Sequence, residues 1–168
     1  MKRSTDFLFG QAIEVFHRLG GRTIVEIGAI RDRKARHSDG HSTLRWPMDA
    51  DVWSVDCNPK AVALTRSLTA DRRKTACVLA DGLAFLRMFP PPIDLLYLDG
   101  PKADARGRQW HLEAFEAAPL AESAVLLIDD TDIRDRGKAM LVIPKAEAAG
   151  FRLVCCGRQA MLVRERTA

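Results

Sequence analysis

The sequence predicts an α/β fold: a doubly wound, mostly parallel sheet of seven strands that ends in a C-terminal antiparallel hairpin. Three observations predict it. Short β-branched runs alternate with helix-patterned segments along the 168 residues, and that alternation implies parallel strands joined by right-handed helical crossovers. Acids stand at the ends of four of those runs, at Glu26, Asp56, Asp99 and Asp129-Asp130, and Asp81 follows another. The last two apolar runs are joined only by Gly157-Arg158-Gln159, a connection short enough to require a hairpin.

Each element has its own signal. Leu8, Phe9, Ala12, Ile13, Phe16 and Leu19 share one helical face within residues 6–19, and Gly20-Gly21 stops that helix. Thr23 to Ile27 is a β-branched strand ending at Gly28. After a polar stretch, Asp51 to Asp56 is a second strand. Asn58-Pro59 opens a helix over residues 60–68, because proline suits a first helical turn. Thr75 to Ala80 is the third strand, and Asp81 caps a helix that ends before Pro90-Pro91-Pro92. Ile93 to Leu98 closes on Asp99, and a helix follows from Gln109 to Ala118. Ala124 to Ile128 closes on Asp129-Asp130, and Gly137 to Ala149 reads as a helix. Phe151 to Cys156 and Ala160 to Arg164 are the hairpin strands.

Composition bounds the function. With 47% apolar and 29% charged residues, the chain reads as one globular domain over residues 1–168, the first 20 forming a helix packed on or beside the sheet. A chain of this length buries about two-thirds of its unfolded surface, so it needs neither disulfide nor structural metal. The longest apolar run, Ala124 to Ile128, is too short for a membrane span. The basic start is followed by Gly10, Gln11 and Glu14 rather than a secretory apolar core. Cysteines 57, 77, 155 and 156 show no metal-ligand spacing and read as small buried hydrophobes of a reducing, cytoplasmic protein. The net charge of +4 permits an acidic partner or nucleic acid, although scattered basic residues read first as a solvated surface.

In an open α/β sheet, ligands bind beyond the carboxyl ends of the strands, where strand order reverses. Helix capping accounts for Asp81 and in part Asp56, but not for Asp99 before Gly100-Pro101, nor for a doubled Asp129-Asp130. A nicotinamide dinucleotide needs GxGxxG, and no glycine follows Gly28 until Gly40. S-adenosylmethionine demands less: a glycine turn, an acid for the ribose hydroxyls and an acceptor for the adenine amine.

On those residues the sequence resembles the class I S-adenosylmethionine-dependent methyltransferases over nearly its whole length, which implies a Rossmann-like methyltransferase fold. Val25-Glu26-Ile27-Gly28 is similar to the family's first motif, Ser54-Val55-Asp56 to its ribose-binding acid, and Leu79-Ala80-Asp81-Gly82 to its adenine-side motif. The first loop is stretched by residues 31–39, and Gly40-His41-Ser42-Thr43 is taken to resume it, so the expected cofactor residues are Glu26, Gly28, Gly40, Ser42, Asp56, Asp81 and Asp99. Asp99 with Asp129-Asp130 also resembles the metal-dependent O-methyltransferases of catechol and sugar type. That resemblance implies Asp99, Asp129 and Asp130 as ligands of Mg²⁺ or another divalent cation, and Lys102 or Asp99 as the catalytic base.

The expected function is therefore O-methylation of a small hydroxylated acceptor. Two alternatives stay open: a nucleic-acid methyltransferase, for which Asp99-Gly100-Pro101-Lys102 lacks an aromatic residue, and a non-catalytic cofactor-binding module. His111 and Glu113 read as a surface pair, and Trp46 and Trp53 as core or pocket wall. The apolar N-terminal helix is a possible homodimer interface, though a helix covering the sheet is the simpler reading.

Overall fold

A computed structural model of the chain describes residues 5–33, 41–90 and 92–166. Gly40 and residues 34–39 of the stretched loop lie outside the described residues. β1 (Thr23–Ile27) and β4 (Ile93–Leu98) are apolar almost throughout and nearly wholly buried, the pattern of strands covered on both faces. β2 (Asp51–Asp56) and β3 (Thr75–Leu79) extend the sheet on one side of β1. β5 (Leu120–Ile128) extends it beyond β4, followed by the hairpin of β6 (Arg152–Cys156) and β7 (Ala160–Arg164). The strand order is β3-β2-β1-β4-β5-β7-β6. β1 to β5 are mutually parallel, and β7 is antiparallel to both β5 and β6. The expected fold class is the observed one.

The period of two along each strand sends alternate residues to two cores. Ile24, Leu95, Tyr97, Val125 and Leu127 meet Phe9, Ala12 and Phe16 of α1 (Thr5–Arg18), together with Trp46. Val25, Ile27, Leu96, Leu98 and Leu126 form the opposite core. α3 (Gly82–Met88), α4 (Ala105–Ala117) and α5 (Val142–Ala148) pack there through Leu86, Phe115 and Ile143. α2 (Pro59–Leu68) runs along β2 and β3, its start capped by the Asn58 side chain. α1 thus covers the sheet.

Three local expectations are corrected. β5 begins at Leu120, four residues before its apolar run, because Leu120 pairs with Ile93 ahead of a bulge while Glu122 faces solvent. The helix expected over 137–149 is broken: a 3₁₀ segment (Arg134–Ala139) with left-handed residues precedes α5. The cysteines are less buried than their type suggests, since Cys57 and Cys156 are exposed. No helix among the described residues is long and apolar enough to cross a membrane.

Candidate active site

Strand order reverses between β1 and β4, so the loops leaving these strands part and open a crevice. Gly28 holds that crevice at φ +118°, and a Cβ there would lie 2.6 Å from the Asp99 carbonyl oxygen. Only glycine combines that dihedral with that closeness. Gly28, Ser42, Asp99, Lys102, Asp129 and Asp130 all line one cavity of about 260 Å³ at this edge.

The first loop is fixed from behind. Glu26 shares its face with its register partners Ser54 and Tyr97 and is completely buried. Its carboxyl accepts from the hydroxyls of Ser42 and Thr43, which belong to the short 3₁₀ turn Ser42–Leu44. Burial pushes the Glu26 carboxyl up to about 7, against the pull of those hydroxyls. Glu26 therefore anchors the wall that carries Ser42, and it does not itself line the cavity. Arg72 ties down the same turn, donating to the carbonyls of Thr43, Leu44 and Trp46 at 2.8–3.1 Å.

Asp56 ends β2 and accepts from the amides of Ala29 (3.0 Å) and Asn58 (2.8 Å), with the Arg31 guanidinium 3.8 Å away. A carboxylate has about four acceptor sites, so these two bonds leave acceptor capacity, although Asp56 is buried and does not line the cavity. Asp81 is exposed, caps α3 by accepting from the Ala84 amide at 2.9 Å, and lies outside the cavity. Beside it, Trp110 of α4 packs over Gly82 and Gly100: a Cβ on Gly100 would strike the indole at 2.5 Å, and one on Gly82 would strike Ile27 at 2.7 Å and crowd the indole at 3.1 Å. His41 is buried, with Nε2 3.0 Å from the Asp32 carbonyl. His111 is likewise fully buried, not a surface pair with Glu113: Nδ1 meets the Gly107 carbonyl at 2.6 Å, and burial lowers its pKa to about 4.

The three aspartates do meet. One carboxylate oxygen from each of Asp99, Asp129 and Asp130 lies within 4.8 Å of the others. Two cations that sequence reasoning missed stand among them. The Lys138 ammonium, its side chain 3% exposed, bonds Asp99 at 2.7 Å and Asp130 at 3.0 Å. Arg158 approaches Asp129 at 3.6 Å and Asp130 at 3.3 Å. Burial pulls Lys138 down, but the two carboxylates more than offset it and hold the ammonium above its ordinary range. Burial also dominates at Asp99, offset by Lys138 and reinforced by Asp129, and raises its carboxyl to about 6. Asp129 Oδ1 is buried without a hydrogen-bond donor.

Unusual backbone delivers Lys138. Asp130 is left-handed at φ 50°, and Asp135, Arg136 and Gly137 follow at 57°, 63° and 50°. The turn doubles back until the Lys138 amide reaches the Asp130 carbonyl at 3.4 Å. Non-glycine residues in this region cost about 1–3 kcal/mol each and collect at functional sites.

A divalent cation of the hard class wants six or more oxygens around it, free of competing positive charge. Here two of the three carboxylates already bind an ammonium, and three acids facing two cations leave one net negative charge. The side chains as they stand do not fit a divalent ion.

The fold and the crevice have clear counterparts. SAH-bound methyltransferase PaMTH1 of Podospora anserina superposes with a TM-score of 0.69 at 13% identity, covering 98% of this chain and 80% of that one. The chain has the class I methyltransferase fold. A Staphylococcus aureus structure provisionally named a caffeoyl-CoA O-methyltransferase matches at TM-score 0.67 and 13% identity, over 95% and 83% of the two chains. The N-methyltransferase NodS of Bradyrhizobium japonicum matches at 0.65 and 14%, over 96% of each. Methyltransferase folds with oxygen and nitrogen acceptors thus superpose equally well on this one. The sequence matches no protein-family model and no curated protein.

Proposed function

We propose that the protein is an S-adenosylmethionine-dependent methyltransferase acting on a hydroxyl of a small molecule. The observation that carries this reading is the crevice between the ends of β1 and β4, where Gly28 and Asp99 face one another across the reversal of strand order. Glycine lets the backbone approach a ligand closely there, and Asp56 keeps acceptor capacity for ribose hydroxyls. Trp110 beside Gly82 offers a flat wall on the side where Asp81 stands.

When bound, S-adenosylmethionine supplies a methyl group on a positively charged sulfur. The chain's residues orient the acceptor and take its proton. Asp99, with a carboxyl raised to about 6, is a stronger base than an ordinary carboxylate and still mostly ionised at neutral pH. It accepts the hydroxyl proton as the acceptor oxygen bonds to the methyl carbon and the carbon–sulfur bond breaks. Asp129, beside it on the cavity wall and held by Arg158 at 3.6 Å, helps to fix the attacking oxygen in line. Lys102 is exposed on the rim of the same cavity, where it is the second candidate for the base.

Calorimetric titration of S-adenosylhomocysteine into the protein tests the reading. Micromolar binding is expected, and no heat at millimolar ligand sinks the proposal.

A further inference from the structure

We propose that the buried ammonium of Lys138 is the resident cation of the three-aspartate site and stands where a divalent ion would otherwise bind. The acids converge as a metal triad does, within 4.8 Å. Like charges that close must be compensated by something. Lys138 bonds two of them directly, and Arg158 faces the third. Ordinary surface ion pairs form between flexible, solvated side chains. This one differs on both counts.

The lysine side chain is 3% exposed, and the chain carries it inward on a turn of three successive left-handed residues, Asp135, Arg136 and Gly137. A Cβ at Gly137 would run into the Asp130 carbonyl, so that turn is tied to the very aspartate that its lysine neutralises. The ammonium is covalently attached, singly charged and needs no coordination sphere. Transfer at this site then proceeds without a divalent ion, with Lys138 as a positioning residue that orders Asp99 and Asp130. That role rests on the methyltransferase reading; occupancy of the triad by Lys138 does not.

The experiment uses Mn²⁺ as the probe and needs no acceptor. Wild-type protein, stripped with chelator, is titrated with Mn²⁺ and followed by the free-ion electron paramagnetic resonance signal and by thermal melting. No loss of signal and no change in melting temperature are expected up to millimolar Mn²⁺. Lys138→Met keeps the aliphatic stem and removes the charge. That variant is expected to melt lower in chelator and to gain Mn²⁺ binding, with its melting temperature rising as metal is added. Lys138→Gln, which preserves one donor, carries the same comparison if the methionine variant cannot be recovered folded.

Stoichiometric Mn²⁺ binding to the wild type would overturn the proposal, because the ammonium would then yield its place. A folded Lys138 variant that gains no Mn²⁺ affinity overturns it equally. Titration of S-adenosylhomocysteine into the same wild-type sample reports separately on the methyltransferase reading, so the two failures are distinguishable.

Discussion

Replacing Glu26 by glutamine isolates one buried proton. Glu26 is ordinarily half-ionised at 4.5, and its burial in the fold moves that point to about 7. Between these values the native carboxyl keeps its proton while the unfolded one has lost it. The native state then binds more protons, so stability falls as pH rises. At about 1.4 kcal/mol per pH unit, the interval amounts to about 3 kcal/mol. For a chain of this size that is roughly 6–12 °C in melting temperature. Two other groups titrate nearby: Asp99 acts in the same direction between 3.8 and about 6, and His111 acts oppositely between about 4 and 6.5. The raw wild-type curve mixes all three. The difference between wild type and Glu26→Gln cancels His111 and most of Asp99, leaving only the Coulombic coupling of Asp99 to Glu26. Glutamine keeps the length of the side chain, and one of the Ser42 and Thr43 hydroxyls reverses to accept from the new amide. Melting both proteins without ligand from pH 4.5 to 8 is the assay. The variant is expected to gain on the wild type steadily up to pH 7 and then run parallel to it. A difference that stays flat across the range refutes the reasoning, and so does one that grows in the opposite direction.

Two further perturbations address the crevice. Gly28→Ala meets an unfavourable φ and the Asp99 carbonyl at 2.6 Å, so a loss of about 3 kcal/mol in urea unfolding is expected, together with weaker S-adenosylhomocysteine binding; an unchanged midpoint contradicts this. Asp56→Ala leaves the amides of Ala29 and Asn58 without their acceptor, at about 1–3 kcal/mol for each that stays unsatisfied, and calorimetry is expected to show at least a tenfold (~1.4 kcal/mol) weaker cofactor affinity. Wild-type affinity in that variant removes Asp56 from the ribose site.

The sheet was legible because its signals are local. Val25, Leu96 and Leu126 sit in apolar runs whose length and β-branching announce buried strands, and Gly157-Arg158-Gln159 allows only a hairpin. The convergence of Asp99, Asp129 and Asp130 was expected from the resemblance to metal-dependent O-methyltransferases, on acids that stand at strand ends. What compensates them was not. Lys138 lies in a stretch with helical composition, and nothing in Asp135-Arg136-Gly137 announces three left-handed residues. Arg158 was recoverable in principle: β7 runs antiparallel to β5, with Ala160 opposite Ile128, so the hairpin turn must sit beside Asp129. His111 was misread because helical periodicity does not tell a buried polar residue from an exposed one, and its partner, the Gly107 carbonyl, lies within the same helix. Glu26 carries the motif's signature, yet its partners Ser42 and Thr43 come from the far side of a long loop.

The placement of Arg158 and Lys138 also has a consequence for biosynthesis. Asp99, Asp129 and Asp130 are all translated before either cation, and Arg158 arrives only with the hairpin turn. A nascent chain that has emerged through β5 carries the acids of its future site with nothing to hold them together. Its central strands can associate, but the edge beside Asp129 repels itself until β7 docks. Docking of the final strand therefore completes the sheet and brings in the second counter-charge in a single event, and a polypeptide stalled after residue 150 would lack that counter-charge as well as β6 and β7.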